Sequence, residues 1–124
     1  MLPARYPRAN RLLRADEYQQ VFRRCEHKAG DRLVSILAIA NGLDHARLGS
    51  AVSIKSAGSA VQRNRLKRLI RESFRLHQAM LRGQDLVVVV RPGLSALSNQ
   101  AIFGTLDSHW RTIAAHAHTA STAD

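Results

Sequence analysis

Apolar positions along this chain fall into blocks with different periods. Tyr18, Val21 and Phe22 share one face at helical spacing, and Asp16 sits where an acid suits a helix start, so a helix is predicted over 15–24. Ala29-Gly30-Asp31 reads as a break. Residues 33–40 (LVSILAIA) form a short run rich in branched side chains, predicted as a strand. Asn41-Gly42 opens a turn, and residues 47–54 (RLGSAVSI) read as a second strand, the hairpin partner of the first. Ser59 is a candidate N-cap for a helix running to about Met80, where Arg82-Gly83 supplies a stop. The continuous apolar run 86–90 (LVVVV) predicts a strand buried on both faces. After Pro92-Gly93, Ser98 or Asn99 can cap a last helix through roughly Ala114, with Ile102, Phe103, Leu106, Trp110 and Ile113 inward. Helices and strands in this order around one sheet give an α+β fold, a compact two-layer α/β sandwich. The 124 residues suit a single domain, with segments 1–10 and 115–124 expected to be flexible.

Charge changes this picture. The formal net charge is +10, and such an excess is self-repulsive in a compact state unless a polyanion answers it. It is also unevenly placed. Of nineteen Lys and Arg, eight precede Leu33 and six lie between Arg63 and Arg75. The single cysteine, Cys25, excludes an intrachain disulfide and zinc-finger spacing. No apolar run is long enough to span a bilayer, so the expected setting is soluble and cytoplasmic, without a membrane partner.

The densest basic segment is QRNRLKRLIRESFR, residues 62–75. On a helical wheel Leu66, Leu69, Ile70 and Phe74 occupy an arc of roughly 140°, while Asn64, Lys67, Arg68, Arg71 and Arg75 cover about 100° on the far side. Arg63 and Arg65 flank the apolar stripe. A solvated helix face usually alternates charge at i,i+4, but positions 64, 68, 71 and 75 contain no acid. Arg outnumbers Lys five to one here, and its planar fork suits phosphate and stacks on bases. The helix packs with one face and offers a cationic ridge to nucleic acid with the other.

Those residues carry a resemblance. VQRNRLKRLIRESFR resembles the signature segment of the protein subunit of bacterial ribonuclease P, an Arg-Asn-Arg motif followed by a basic amphipathic helix. RADEYQQVFRR is similar to that family's first helix, RLGSAVSIK to the strand before the motif, and QDLVVVVRPGLSALS to the strand and loop before the last helix. The likeness spans roughly residues 11 to 113.

The resemblance implies an α-β-β-β-α-β-α sandwich with a left-handed crossover, a handedness that local patterning does not supply. It implies a protein that binds a catalytic RNA subunit, which with bound Mg2+ cleaves precursor tRNA to give the mature 5′ end. No catalytic side chain, no metal ligand and no obligate protein partner are expected on this chain. By position, Arg63, Asn64, Arg65, Lys67, Arg68 and Arg71 would meet the catalytic RNA or its nearby metals, with Arg75 continuing the ridge. Tyr18 and Phe22 would line a cleft for the 5′ leader, with Val52, Ser53 and Lys55 on its sheet side. Two departures thin the cationic lining: Ile54 stands where the family usually has Lys, and Ser56-Ala57-Gly58-Ser59 is uncharged. Arg5, Arg8, Arg11 and Arg14 are candidates to compensate.

Two rival readings are weaker. A protein-only nuclease would need clustered carboxylates for metal or a His/Lys acid–base pair. The nine acids are scattered, and His109, His116 and His118 crowd only the C-terminal end. A structural RNA-binding protein, such as a ribosomal component, needs the same ridge and is not excluded by sequence physics; the aromatic cleft on the first helix beside the ridge favours the ribonuclease P reading.

Overall fold

The computed structural model of the chain describes residues 8–122, and side chains as far as Ala117; Pro3, Arg5, Pro7 and His118 lie outside that range. After a 3-10 turn at Arg8–Asn10 the order is α1 (Ala15–Arg24), β1 (His27–Gly30), β2 (Val34–Ala40), β3 (Arg47–Ala51), α2 (Ile54–Ala57), α3 (Ala60–His77), β4 (Gln84–Val90), a second 3-10 turn (Leu94–Ala96) and α4 (Asn99–Thr122). The α-β-β-β-α-β-α order holds, with the four-residue α2 added before the basic helix.

The sheet order is β1-β2-β4-β3. β2 pairs antiparallel with both β1 and β4, and β3 runs parallel to β4. The expected hairpin between the second and third strands is therefore wrong. Asn41 does make the turn, its Oδ1 accepting from Leu43 N at 2.8 Å. The chain then passes β4 and reaches the far edge, because a crossover through α2 and α3 brings β4 back between the two strands. Residues 52–54 also leave the strand: Ser53 Oγ accepts from Ser56 N at 3.0 Å and starts α2, which Gly58 closes with φ +98°. The supposed break at 29–31 contains the end of β1, whose one core residue, Ala29, was too little pattern to detect.

Strand alternation divides the residues between two faces. Ile36, Ala38, Leu48, Leu86 and Val88 meet Leu66, Leu69, Ile70 and Phe74 of α3 and Ile102, Leu106, Trp110 and Ile113 of α4 in the main core. Each large side chain buried there contributes roughly 1.5–3 kcal/mol. Phe103, expected inward, is only partly buried against this core. Trp110 Nε1 donates to Ser73 Oγ at 2.8 Å, so the largest buried ring leaves no polar atom unmet. α3 starts as predicted, Ser59 Oγ accepting from Gln62 N at 3.1 Å, and ends at His77, earlier than Met80.

The opposite face is covered in part by α1, a third layer of small extent. Val21 packs on Val87, with Leu12 beside them and Tyr18, Leu37, Ile39, Ala51 and Val89 partly buried around them. The N-terminal segment is anchored from Asn10 onward, earlier than expected. Asn10 Nδ2 donates to Ala46 O at 2.8 Å, and Leu12 N donates to Leu48 O at 2.9 Å along the β3 edge. The last helix continues to Thr122, well past Ala114.

Candidate nucleic-acid interface

The apolar stripe of α3 is buried as the wheel required, which fixes the azimuth of every basic side chain on it. Asn64, Arg68 and Arg71 are exposed, and Lys67 is half-buried beside them. Among the described residues no carboxylate lies within ion-pair distance of Lys67, Arg68 or Arg71. Burial lowers the Lys67 ammonium below the ordinary lysine range, and repulsion from Arg63 and Arg71 lowers it further. A cation crowded by other cations in a partly desolvated spot is one that an arriving phosphate stabilises.

Three other basic positions of the segment are committed within the protein. Arg65 faces α4 and the loop before it. Its Nε donates to Asn99 Oδ1 (2.9 Å), one terminal nitrogen to Gln62 Oε1 (2.9 Å) and Ser95 O (3.0 Å), the other to Leu97 O (2.8 Å). That clamp uses most of a guanidinium's five N–H groups. Arg63 Nε donates to Val52 O at 2.7 Å, which ties α3 to the end of β3; its terminal nitrogens are not used in that bond. Arg75 is paired with Glu72 one turn earlier on its own helix.

The leader-cleft candidates divide as well. Tyr18 lies against Gly49: a Cβ at that glycine would come within 2.5 Å of the tyrosine Cζ. The Tyr18 hydroxyl accepts from Ser50 N at 3.3 Å, satisfying a donor on the β3 edge. Phe22, one turn along α1, is 48% exposed, a large value for an aromatic, and is not a core residue. Val52, expected on the cleft side, is buried in the main core because even-numbered positions of this strand face α3. Ser53 is exposed and its hydroxyl accepts as the α2 N-cap, and Lys55 and Ile54 both stand exposed on α2.

The sequence reading missed the cleft floor. Leu37, Val89 and Ala51, odd-numbered residues on the α1 face, are partly open beside Tyr18. Alternation in LVSILAIA held the signal, but the unbroken apolar run of β4 masked it. Also missed was the tether that aims α1. Arg47 bonds Asp85 through two nitrogens (2.8 and 2.6 Å) and reaches Glu17 of α1 at 2.8 Å, while Asn41 Nδ2 donates to Asp85 at 2.9 Å. Burial pushes the Glu17 carboxyl up, but N–H groups of Arg14 and Leu13 and the Arg47 charge outweigh it, so it lies below its ordinary value.

A cavity of about 150 Å³ joins ridge and cleft; Arg11, Tyr18, Ser50, Lys67 and Arg71 line it. Of the N-terminal arginines proposed to compensate, Arg11 reaches this junction, whereas Arg8 and Arg14 border a larger hollow of about 440 Å³ beside Arg47. Among the described residues His109 and His116 do not converge. His109 bonds Asp31 at 3.0 Å, and the His116 ring lies 6.4 Å from that of His27. Among the described residues no group of three or more His, Cys, Asp or Glu is placed to hold a metal, so these residues do not fit a protein-borne magnesium site. No described helix is long and apolar enough to cross a membrane.

The family profile described as Ribonuclease P matches residues 6–114. The chain is 44% identical over 108 residues to a ribonuclease P protein component of Vibrio cholerae, covering 87% of this chain and 91% of that one. To its counterpart from Pseudomonas putida it is 42% identical over 114 residues, 92% of this chain and 85% of the relative. Among solved structures, the Staphylococcus aureus RNase P protein superposes with a TM-score of 0.77 at 30% identity, covering 84% and 94% of the two chains. The Thermotoga maritima protein gives 0.70 at 30% identity, covering 82% and 96%.

Proposed function

Because the chain belongs to the ribonuclease P protein family, the tRNA-processing component of an endoribonuclease complex, we propose that its two surfaces hold two RNAs side by side. Asn64, Lys67, Arg68 and Arg71, with the free end of Arg63, dock the catalytic RNA subunit. The Tyr18/Phe22 wall and the Leu37–Val89–Ala51 floor hold the single-stranded 5′ leader of precursor tRNA. One observation carries this reading: the junction cavity puts Lys67 and Arg71 of the ridge against Tyr18 of the cleft. An RNA seated on α3 is thereby next to a strand seated on α1.

The roles differ in physics. The ridge answers phosphate charge with point charges and Arg forks, without reading bases. The cleft offers aromatic faces on which unpaired bases stack for roughly 1–3 kcal/mol each, with little sequence preference. Cleavage is assigned to the RNA subunit, with magnesium held by RNA and substrate phosphates. This chain's residues orient the leader and supply positive potential.

The test separates the surfaces. Arg68→Ala lowers affinity for the RNA subunit and reduces the salt slope by about 0.7–0.9. Tyr18→Ala weakens leader-bearing precursor tRNA and leaves leaderless tRNA unchanged. Equal loss on both substrates would remove the cleft assignment.

A further inference from the structure

The RNA surfaces leave the histidines unused, and the structure describes the side chains of five of the six. Three of them are answered by carboxylates: His45 by Asp44 at 2.9 Å, His77 by Asp107 at 2.5 Å and His109 by Asp31 at 3.0 Å. The two that remain, His27 and His116, face each other. Their ring centroids lie 6.4 Å apart and their planes are tilted by 45°. Among the described residues neither ring has a carboxylate within ion-pair distance.

The packing of α4 on the β1 edge sets up this meeting. His27 is opposite Ala38 in the β1–β2 ladder and Ala29 is opposite Ile36, so His27 shares the main-core face of the sheet. On α4, His109, Ile113 and His116 follow at spacings of four and three and form one stripe. Ile113 is buried, and His109 holds Asp31 just beyond the far end of β1. From His109 to His116 the helix advances about 10 Å, and from Asp31 back to His27 the strand runs about 13 Å. The second imidazole therefore arrives opposite the first because the helix and strand are antiparallel and already pinned at the other end. His27 is half-buried and His116 exposed, so the pair opens to solvent.

Two imidazoles so placed are a chelate. A metal about 2.0–2.1 Å from one nitrogen of each ring sets the centroids roughly 5–6.5 Å apart, for angles from tetrahedral to linear. The observed separation is within that range. Cys25, two residues before His27, turns its Sγ to the His27 carbonyl at 3.1 Å. No third His, Cys, Asp or Glu joins the pair among the described residues, which leaves the other coordination positions to water. Neutral nitrogen donors favour zinc and its neighbours over magnesium, which takes oxygen ligands. We propose that His27 and His116 form a two-imidazole site for a divalent transition-metal ion, zinc in the first place, that fastens α4 to the β1 edge. The site is independent of the RNA reading. α4 covers β1 while α3 packs on β3, and these strands are opposite edges of the sheet.

The experiment uses the untagged full chain in metal-free buffer. Zinc titrated calorimetrically binds once per chain at this site and raises the melting temperature, whereas magnesium at the same concentration does not. His27→Gln and His116→Gln each weaken zinc binding by about 100-fold, the loss of one arm of a chelate. Neither variant changes the melting temperature without metal or the affinity for the RNA subunit. In the parent protein, NMR of the imidazoles shows the His27 and His116 signals moving together with zinc, while those of His45, His77 and His109 stay in place. Absence of zinc binding, zinc binding unaltered in either variant, or a response from only one of the two rings overturns the proposal.

Discussion

Replacing Arg47 is the sharpest structural perturbation available. Its guanidinium joins three elements: Asp85 on β4, Glu17 on α1, and β3 on which it sits. The Asp85 side chain is only 9% exposed, so Arg47→Met leaves a buried carboxylate whose remaining side-chain hydrogen-bond donor among the described residues is Asn41 Nδ2. Removing one member of a buried ion pair costs about 3–5 kcal/mol. Because Arg47 and Glu17 each keep about a quarter of their surface in water, the low end applies, about 3 kcal/mol. Against a typical stability of roughly 5–15 kcal/mol, that lowers the melting temperature by about 10 °C. Urea and thermal denaturation followed by circular dichroism read it directly. The double variant Arg47→Met/Asp85→Leu removes the stranded charge and is predicted to recover part of the loss. A loss under about 1 kcal/mol for the single variant, or a double variant as unstable as the two singles summed, would refute the reasoning. Where the fold survives, α1 loses its tether, so leader discrimination weakens more than binding of the RNA subunit.

Arg65→Gln is expected to lower thermal stability, because its clamp on Ser95, Leu97 and Asn99 is lost, yet leave the salt slope of RNA-subunit binding within error; a slope reduced as in Arg68→Ala would return Arg65 to the RNA contacts. Gly49→Ala displaces the Tyr18 ring and reproduces the Tyr18→Ala leader defect, whereas unchanged leader discrimination would show that the ring's seat is unimportant. Acid unfolding follows from depressed carboxylates: Asp107 is held below its ordinary value by bonds from Arg111 and then His77, and Glu17 is lowered as described. A lowered folded pKa contributes stability that is present above the unfolded value, near 4–4.5, and is lost as pH falls through the folded value. Urea midpoints should therefore drop between about pH 5 and pH 3, less steeply in Glu17→Gln; identical acid profiles would show that Glu17 contributes nothing.

The sequence made local features legible and left non-local ones hidden. α1 was read to its bounds because Tyr18 and Val21 repeat at helical spacing behind Asp16 and Glu17. The α3 stripe was read because charge and apolarity separate cleanly on one wheel. Strand pairing was not, since RLGSA after an Asn-Gly turn carries the local signature of a hairpin. Only the return of β4 between β2 and β3 makes it a parallel edge strand. β1 and α2, four residues each, are too short to impose a period. Within the motif, spacing placed Arg65 beside the apolar stripe but could not disclose its partners, two of which are backbone carbonyls some thirty residues away. Val52 and Ala51 differ by one position, and strand parity sends one to the core and the other to the cleft.

On the proposed reading this chain positions RNA and performs no cleavage. Purified protein, its cognate RNA subunit and precursor tRNA, assayed separately and together across a magnesium series, test it most directly. The expected result is no cleavage by protein alone, and a stimulation of the RNA subunit at low magnesium that gives the mature 5′ end. Robust cleavage by RNA-free protein would contradict it.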